Sequence, residues 1–452
     1  MKTSNLLCAA AWGVAALSAV PAYAAGDDLT EIRQEMKALR GDYEKKIREL
    51  EERLKKAEAR ANKAEASAKT SAPVSAPVEQ AVAEVVPPPA PPPPRAPSGA
   101  TAFNPSISAI LNGSYAVSQH DPATIGVRGF ALGDEAGLAD RGFSIGESEV
   151  AFSANVDPYF LANLILAFSE DEVSVEEAYI QTTSLPGGFT ARAGRFFSGV
   201  GYLNERHAHS WDFLDQPLPY RAMLGNQYGD DGIQVRWLAP TDFFLEFGAE
   251  WFRGDSFPAG GADDNGAGTV AAYVHAGGDL DDESSILAGL SYLRTKALDR
   301  DTGGDLFTGN DGLAIASVVY KWAPGGNPTA NNLVVNSEYF FGTEDGTFKG
   351  VPVDYDRSGF YVQGVYQFMP RWRAGVRYAQ LDSGGVDAAL AGSVLDDMGH
   401  SPRAWSALLE YDTSEFGRFR LQYTLDDADL QRNSELVAAY TIAIGAHGAH
   451  KF

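Results

Sequence analysis

The strongest constraint on this chain is period-two alternation of apolar and polar residues, repeated from residue 102 to the end in segments that often run nine to twelve residues. In one segment Ile107, Ala109, Leu111, Tyr115 and Val117 share a face opposite Ser106, Ser108, Asn112 and Ser114. Val150, Phe152, Ala154 and Val156 alternate with Glu147, Glu149, Ser153 and Asn155, and Phe419, Leu421, Tyr423 and Leu425 with Arg418, Arg420, Gln422 and Thr424. Alternation puts one residue set on each face of a strand. Strands of soluble sandwiches average about five or six residues, whereas about nine to eleven are needed to cross a bilayer at a tilt.

The connections separate these alternatives further. Tight turns are expected at Asp157 to Tyr159, Ser184 to Gly188, Ala239 to Asp242, Met369 to Pro370 and Asp412 to Phe416, with compact links at 278–283 and 323–331. Between them lie long polar links at 119–142, 198–231, 254–267, 296–311, 342–357 and 382–402. Short turns at one end and long loops at the other are the asymmetry of outer-membrane barrels. The pattern predicts an all-β fold: a transmembrane antiparallel β-barrel of about 16 strands over 102–452, preceded by an N-terminal α-helical coiled coil.

The ends agree with export. Residues 1–24 read as a signal peptide, with an apolar run from Leu6 to Val20 before Ala22-Tyr23-Ala24. Cys8, the only cysteine, lies inside it, so the mature chain is expected to fold without disulfides. No later stretch approaches the 18 apolar residues of a membrane helix. Over 27–70 the apolar positions Leu29, Ile32, Met36, Leu39, Tyr43, Ile47, Leu50 and Leu54 follow three-four spacing with one stutter at Tyr43 to Ile47, a coiled coil that oligomerises. Residues 71–101, with prolines from Pro87 to Pro94, are a semi-rigid linker. The chain's net charge of −24 arises after residue 100, where 22 basic residues face 47 acidic ones, a balance of −25. That balance excludes a nucleic-acid partner.

If apolar faces meet outer-membrane lipid, the opposite faces line a lumen. Arg192, Arg236, Arg371, Arg373, Arg377, Arg418 and Arg420 are the candidate basic lining, with Arg371, Arg373 and Arg377 on one strand face. Glu147, Glu149, Glu177, Glu246, Glu250, Glu338 and Glu410 are the acidic lining. Arg accounts for 18 of the 22 basic residues, which suits carboxylate or phosphate recognition, although the same arginines could simply pair with wall glutamates. The connection 198–231, carrying Tyr202, Trp211, Phe213, Tyr220 and Tyr228, is too long for a hairpin and too aromatic to be disordered, so it is expected to fold into the lumen. Within it His207 and His209, with Asp212 nearby, form a speculative zinc site; no other cofactor is expected. No Ser–His constellation with an orienting partner occurs on a strand face, so no enzyme is expected.

The Arg192-Ala-Gly-Arg-Phe196 strand leading into Gly199 to Arg206, together with the terminal Phe452 and the overall layout, resembles the phosphate-selective (O and P type) porin superfamily, closest in layout to its coiled-coil-bearing, dicarboxylate-type members. The resemblance implies a homotrimeric passive channel for small hydrophilic, charged solutes, its third loop narrowing the pore. It implies a Gram-negative outer-membrane location, with the coiled coil in the periplasm and Phe452 read by the barrel assembly machinery. Similar sequences are sometimes labelled TonB-dependent receptors, but about 350 residues cannot hold a 22-stranded barrel and a plug. The alternatives are a gated or metal-regulated uptake receptor and a structural link between outer membrane and cell wall.

Overall fold

The computed structural model describes residues 105–133, 136–169, 172–261, 266–302 and 304–445. The expected signal peptide, coiled coil, proline-rich linker and Phe452 lie outside them.

Among the described residues every strand joins one antiparallel sheet. It begins with β1 (Ser106–Ser118), β2 (Gly142–Ser144), β3 (Ser148–Asn155), β4 (Phe160–Phe168), β5 (Val173–Thr182) and β6 (Phe189–Phe197). The middle comprises β7 (Gly229–Leu238), β8 (Phe244–Phe252), β9 (Thr269–Asp279), β10 (Ser284–Thr302), β11 (Asp305–Trp322) and β12 (Asn332–Phe348). It ends with β13 (Val351–Met369), β14 (Trp372–Asp382), β15 (Arg403–Ser414), β16 (Gly417–Asp427) and β17 (Asn433–Gly445). β2 and β3 both pair with β1 and are two halves of one stave, so the wall has sixteen staves. Pairing of β1 with β17, from Ser108 opposite Gly445 to Ser118 opposite Glu435, closes the barrel.

The alternation resolves as an inside-out fold. Ile107, Leu111, Tyr115, Val117, Trp251, Val376, Trp405, Leu421 and Tyr423 are exposed on the outer face, while Arg420, Gln422 and Thr424 on the same strand as Leu421 are buried inside. Such an outer surface is stable only against hydrocarbon. No helix among the described residues is long and apolar enough to cross a membrane; the strands do the crossing.

Two expected long loops are corrected. Residues 296–311 and 342–357 are mostly strand: β10 and β11 run 19 and 18 residues, and β12 and β13 run 17 and 19. At about 3.4 Å per residue these strands exceed the roughly 30 Å hydrocarbon layer even when tilted, so both hairpins project beyond it. The β12–β13 turn is Lys349-Gly350, with positive φ at both residues (55° and 75°), the requirement of a tight hairpin turn. Polar Asp, Thr and Gly on these strands resemble loop composition. Their inward residues Phe307, Phe348 and Val353 nevertheless remain in alternation and pack with Ala131, Leu390 and Leu395 from neighbouring long connections.

The exposed Leu421 provides a test of the outer face. Leu421→Arg should destabilise the barrel by about 2–4 kcal/mol if the position lies near the bilayer midplane, read as a loss of heat-modifiable folded protein in lipid vesicles. An unaffected folded fraction would mean that this face does not contact lipid.

Candidate functional site

The connection from β6 to β7, residues 198–228, folds into the barrel. Its base is pinched by Asn204, whose amide donates to the carbonyls of Ser198 and Tyr228 (both 2.8 Å) and whose Oδ1 accepts from the Tyr228 amide (2.7 Å). Glu250 on the wall accepts from the Gly199 amide (2.9 Å) and the Gln234 side chain (2.6 Å). Further on, a short helix, Leu218–Leu224, is buried at all seven residues. Pro217 and Pro219 set its start, and Gly225, at φ 60°, allows the left-handed turn that ends it. Phe196, Val200, Leu203, Tyr220, Leu224 and Tyr228 join Val127 and Phe130 of the first long connection and wall residues such as Leu293, Phe340 and Tyr361 in one hydrophobic core. At this level the third connection packs against the inner wall.

Glu338, a predicted lining residue, is the central polar contact of that core. It accepts from the hydroxyls of Tyr220 (2.8 Å) and Tyr361 (2.6 Å) and from the Tyr202 amide (2.7 Å). Tyr220 in turn accepts from the Leu203 amide at 2.9 Å. Glu338, Tyr220, Tyr361 and Leu203 are buried, so the network stands on being satisfied.

The predicted arginines divide into three groups. Arg373, Arg377, Arg418 and Arg420 hold the third connection against β14 and β16. Arg373 bridges Asp212 (2.6 Å) and Glu410 (2.8 Å); Arg377 binds Asp215 (2.6 Å) and covers the Phe213 ring at 4.6 Å. Arg418 and Arg420 both donate to the Trp211 carbonyl (3.1 Å each). Arg371 does not share the strand face of Arg373 and Arg377. It sits exposed in the β13–β14 turn at φ 71°, because the strand has already ended at Met369. Only Arg192 and Arg236 face open space. Arg192 donates to Gln181 (3.1 Å) and lies 4.3 Å from the Tyr179 ring, while Arg236 bonds Gln234 (2.7 Å) and Glu205.

That space is a cavity of about 1160 Å³ at the end of the barrel bearing the short turns, roofed by Gly201 to Ser210 of the third connection. Its charged lining includes Glu149, Glu177, Glu205, Glu246 and Asp279 against Arg192, Arg206 and Arg236, with His207, His209 and His275. Glu147 is exposed between β2 and β3, Glu246 lies 3.8 Å from His275, and Glu250 belongs to the loop anchor rather than the cavity.

The histidines do not meet Asp212, which is taken by Arg373. His209 Nδ1 lies 2.7 Å from Glu149, and His207 contacts Glu176 (3.1 Å), Glu177 (3.2 Å) and Glu149 (3.6 Å). Burial opposes a charge on His207, but Glu176 and Glu177, with the charge of Glu149, outweigh it and raise its pKa well above the usual 6.5. Glu176 was invisible to simple alternation, since Glu177 already occupied the inward position. A bulge between Ile165 and Leu166 of β4 leaves Glu176 the extra residue in β5. Such a bulge re-aims a side chain, and here both consecutive glutamates reach His207.

No protein-family model matches the chain. An uncharacterized protein of Aquifex aeolicus (strain VF5) is 29% identical over 337 residues, covering 69% of this chain and 70% of that protein. Solved structures of similar fold include the anion-selective porin from Comamonas acidovorans (11% identity, 75% of this chain and 99% of that chain, TM-score 0.50). The outer membrane channel DcaP of Acinetobacter baumannii is similar to the same degree (11% identity, 76% and 99%, TM-score 0.50). The likeness is one of fold, that of a closed sixteen-strand outer-membrane barrel.

The loop clamp is directly testable. Arg373→Gln removes the cation that bridges Asp212 and Glu410, leaving Glu410 with Arg418 at 3.6 Å, and should cost about 1–3 kcal/mol, seen as a lower melting transition and faster proteolysis within 198–228. Unchanged proteolysis would mean that the clamp is incidental. The clamp also has a pH signature. Burial disfavours the Asp212 carboxylate, but Arg373 outweighs that effect and, with Arg418 and Arg206, holds its pKa below 3.8. A depressed pKa contributes stability present above the unfolded value and lost as pH falls through the folded one. Loop protection should therefore persist down to pH 3.8 and fail below it, as followed by limited proteolysis with an acid-active protease.

Proposed function

We propose that this chain is a porin-type passive channel of a Gram-negative outer membrane, allied to the coiled-coil-bearing dicarboxylate porins. The observation that carries this reading is the combination of an apolar outer face with an inward-folded third connection above a charged cavity. The fold likeness to an anion-selective porin and to DcaP supports it. The permeant class is small, hydrophilic and charged. Carboxylates outnumber guanidiniums in the cavity lining, so the preference falls to cations and to solutes carrying separated charges. Three copies assemble through the heptad segment 27–70, held by the proline-rich linker at the periplasmic side, and Phe452 serves barrel assembly.

One observation favours a second reading, a gated channel: the seven buried residues of the Leu218–Leu224 helix fill the lumen at their level. Single-channel recording in planar bilayers tests both. A passive channel conducts as purified, and replacing Tyr202 to Met223 by a short Gly-Ser link raises conductance about twofold or more. A chain silent until the loop is cut supports gating; a chain silent in both forms overturns both readings.

Selectivity should follow Arg192 and Arg236. Replacing both with Gln should shift reversal potentials toward cations, more at low salt because screening lengthens from about 3 Å at 1 M to about 10 Å at 0.1 M. Equal selectivity in the variant would place the ion path elsewhere. Deleting 27–70 should weaken the trimer on light scattering while leaving a folded barrel; a monomeric full-length protein would overturn the assembly.

A further inference from the structure

The cluster around His207 has more negative partners than a lone imidazole requires. Glu149 and Glu176 have side chains only 3% and 8% exposed, and Glu177 only 9%. The three glutamates come from β3 and from the bulge of β5, while His207 comes from the third connection. His207 Nε2 is 3.2 Å from Glu177 Oε2, a contact in which the ring nitrogen donates to the carboxylate. Nδ1 lies 3.1 Å from Glu176 Oε2 and 3.6 Å from Glu149 Oε2. Neither Nδ1 nor Glu176 Oε2 has a partner in hydrogen-bond geometry, and both are buried. Three metal-ligand atoms thus converge, and a cation bound among them would displace the proton from Nδ1.

We propose that Glu149, Glu176 and His207 form a binding site for a divalent transition-metal cation of the zinc type. One donor atom from each lies within 4.8 Å of the others. Ligands about 2.0–2.2 Å from a tetrahedral zinc sit about 3.4 Å apart, and the Nδ1 distances of 3.1 and 3.6 Å bracket that value. A mixed imidazole and carboxylate set suits Zn²⁺ and its first-row neighbours and disfavours Mg²⁺ and Ca²⁺, which prefer oxygen alone. The surrounding groups match a metal's outer partners: Glu177 fixes the His207 ring, and His209 Nδ1, 2.7 Å from Glu149 Oε1, orients that carboxylate. Glu149 and His207 both line the cavity, so a fourth position opens toward water. The ion would tie the third connection to β3 and β5, staves other than the β14 and β16 of the arginine clamp.

The site is tested on purified full-length protein in detergent, stripped with chelator and titrated with Zn²⁺ alone by calorimetry, with Co²⁺ as a spectroscopic substitute. The expected result is one saturable site per chain and a Co²⁺ visible spectrum typical of four nitrogen and oxygen ligands. His207→Gln and Glu176→Gln should each weaken Zn²⁺ binding by more than about tenfold, and Glu177→Gln by about tenfold or more, as for an outer partner. His400→Gln, in the long connection between β14 and β15, should leave affinity unchanged. Heat-modifiable migration confirms that each variant is folded, and because Glu176→Gln keeps the side chain's shape, its loss of binding does not reduce to misfolding. No saturable binding by the stripped wild type, or equal affinity in His207→Gln and Glu176→Gln, overturns the proposal and leaves a proton as the cation of the cluster. Binding is measured without conduction, so the result stands independently of the channel reading.

Discussion

Everything in this barrel depends on one requirement: backbone groups in hydrocarbon have no water to bond, so each must find a partner in the protein. A sheet meets that condition only by closing, and the pairing of β1 with β17 closes it. Closure then fixes the rest. One face of each strand must be apolar and turned outward, the opposite face is enclosed, and whatever fills the enclosure must come from side chains or from a connection folded inward. Residues 198–228 fill it here, and the charges that look like a pore lining in sequence are largely consumed in holding them there.

The wall was legible in the sequence because period two is the only periodicity the strands obey. Phe419 to Leu425 and Ile107 to Val117 lie outward as the alternation requires. The tall hairpins were not legible as strand. Beyond the membrane the outward residues need no longer be apolar, so Asp, Thr and Gly replace them and the segment 342–357 reads as loop. The third connection's inward fold followed from its aromatics, yet its contacts did not. Nothing local in Arg373-Ala-Gly-Val-Arg377 announces that Asp212 and Asp215, some 160 residues earlier, will meet it. Arg371 was misplaced for a simpler reason: alternation counts parity, and parity continues past the residue at which a strand stops. Glu176 was missed because a bulge is one extra residue, and a period-two reading has no place for one.

The buried ion pairs carry more specificity than net stability. Desolvating Arg377 and Asp215, or Arg300 with Glu344 (2.6 Å), offsets much of what their attraction returns. Apolar replacements of similar shape could pack as well, but they would not define a single seating. A guanidinium accepts the connection in one register only, with Arg377 on both the Asp215 carboxylate and its carbonyl (2.6 Å each).

The packed layer around the Leu218–Leu224 helix has an electrical consequence. Voltage across a membrane protein falls where conducting water is scarcest, and here that is the layer packed around this helix rather than the cavity of about 1160 Å³. A potential of 100 mV, worth about 2.3 kcal/mol per charge moved through it, then falls more steeply there than along the cavity. The Arg221–Asp426 pair (3.3 Å) joins that helix to β16 within this layer and so sits in the steep part of the field. The two form a buried dipole carried in part by the helix that packs within the barrel.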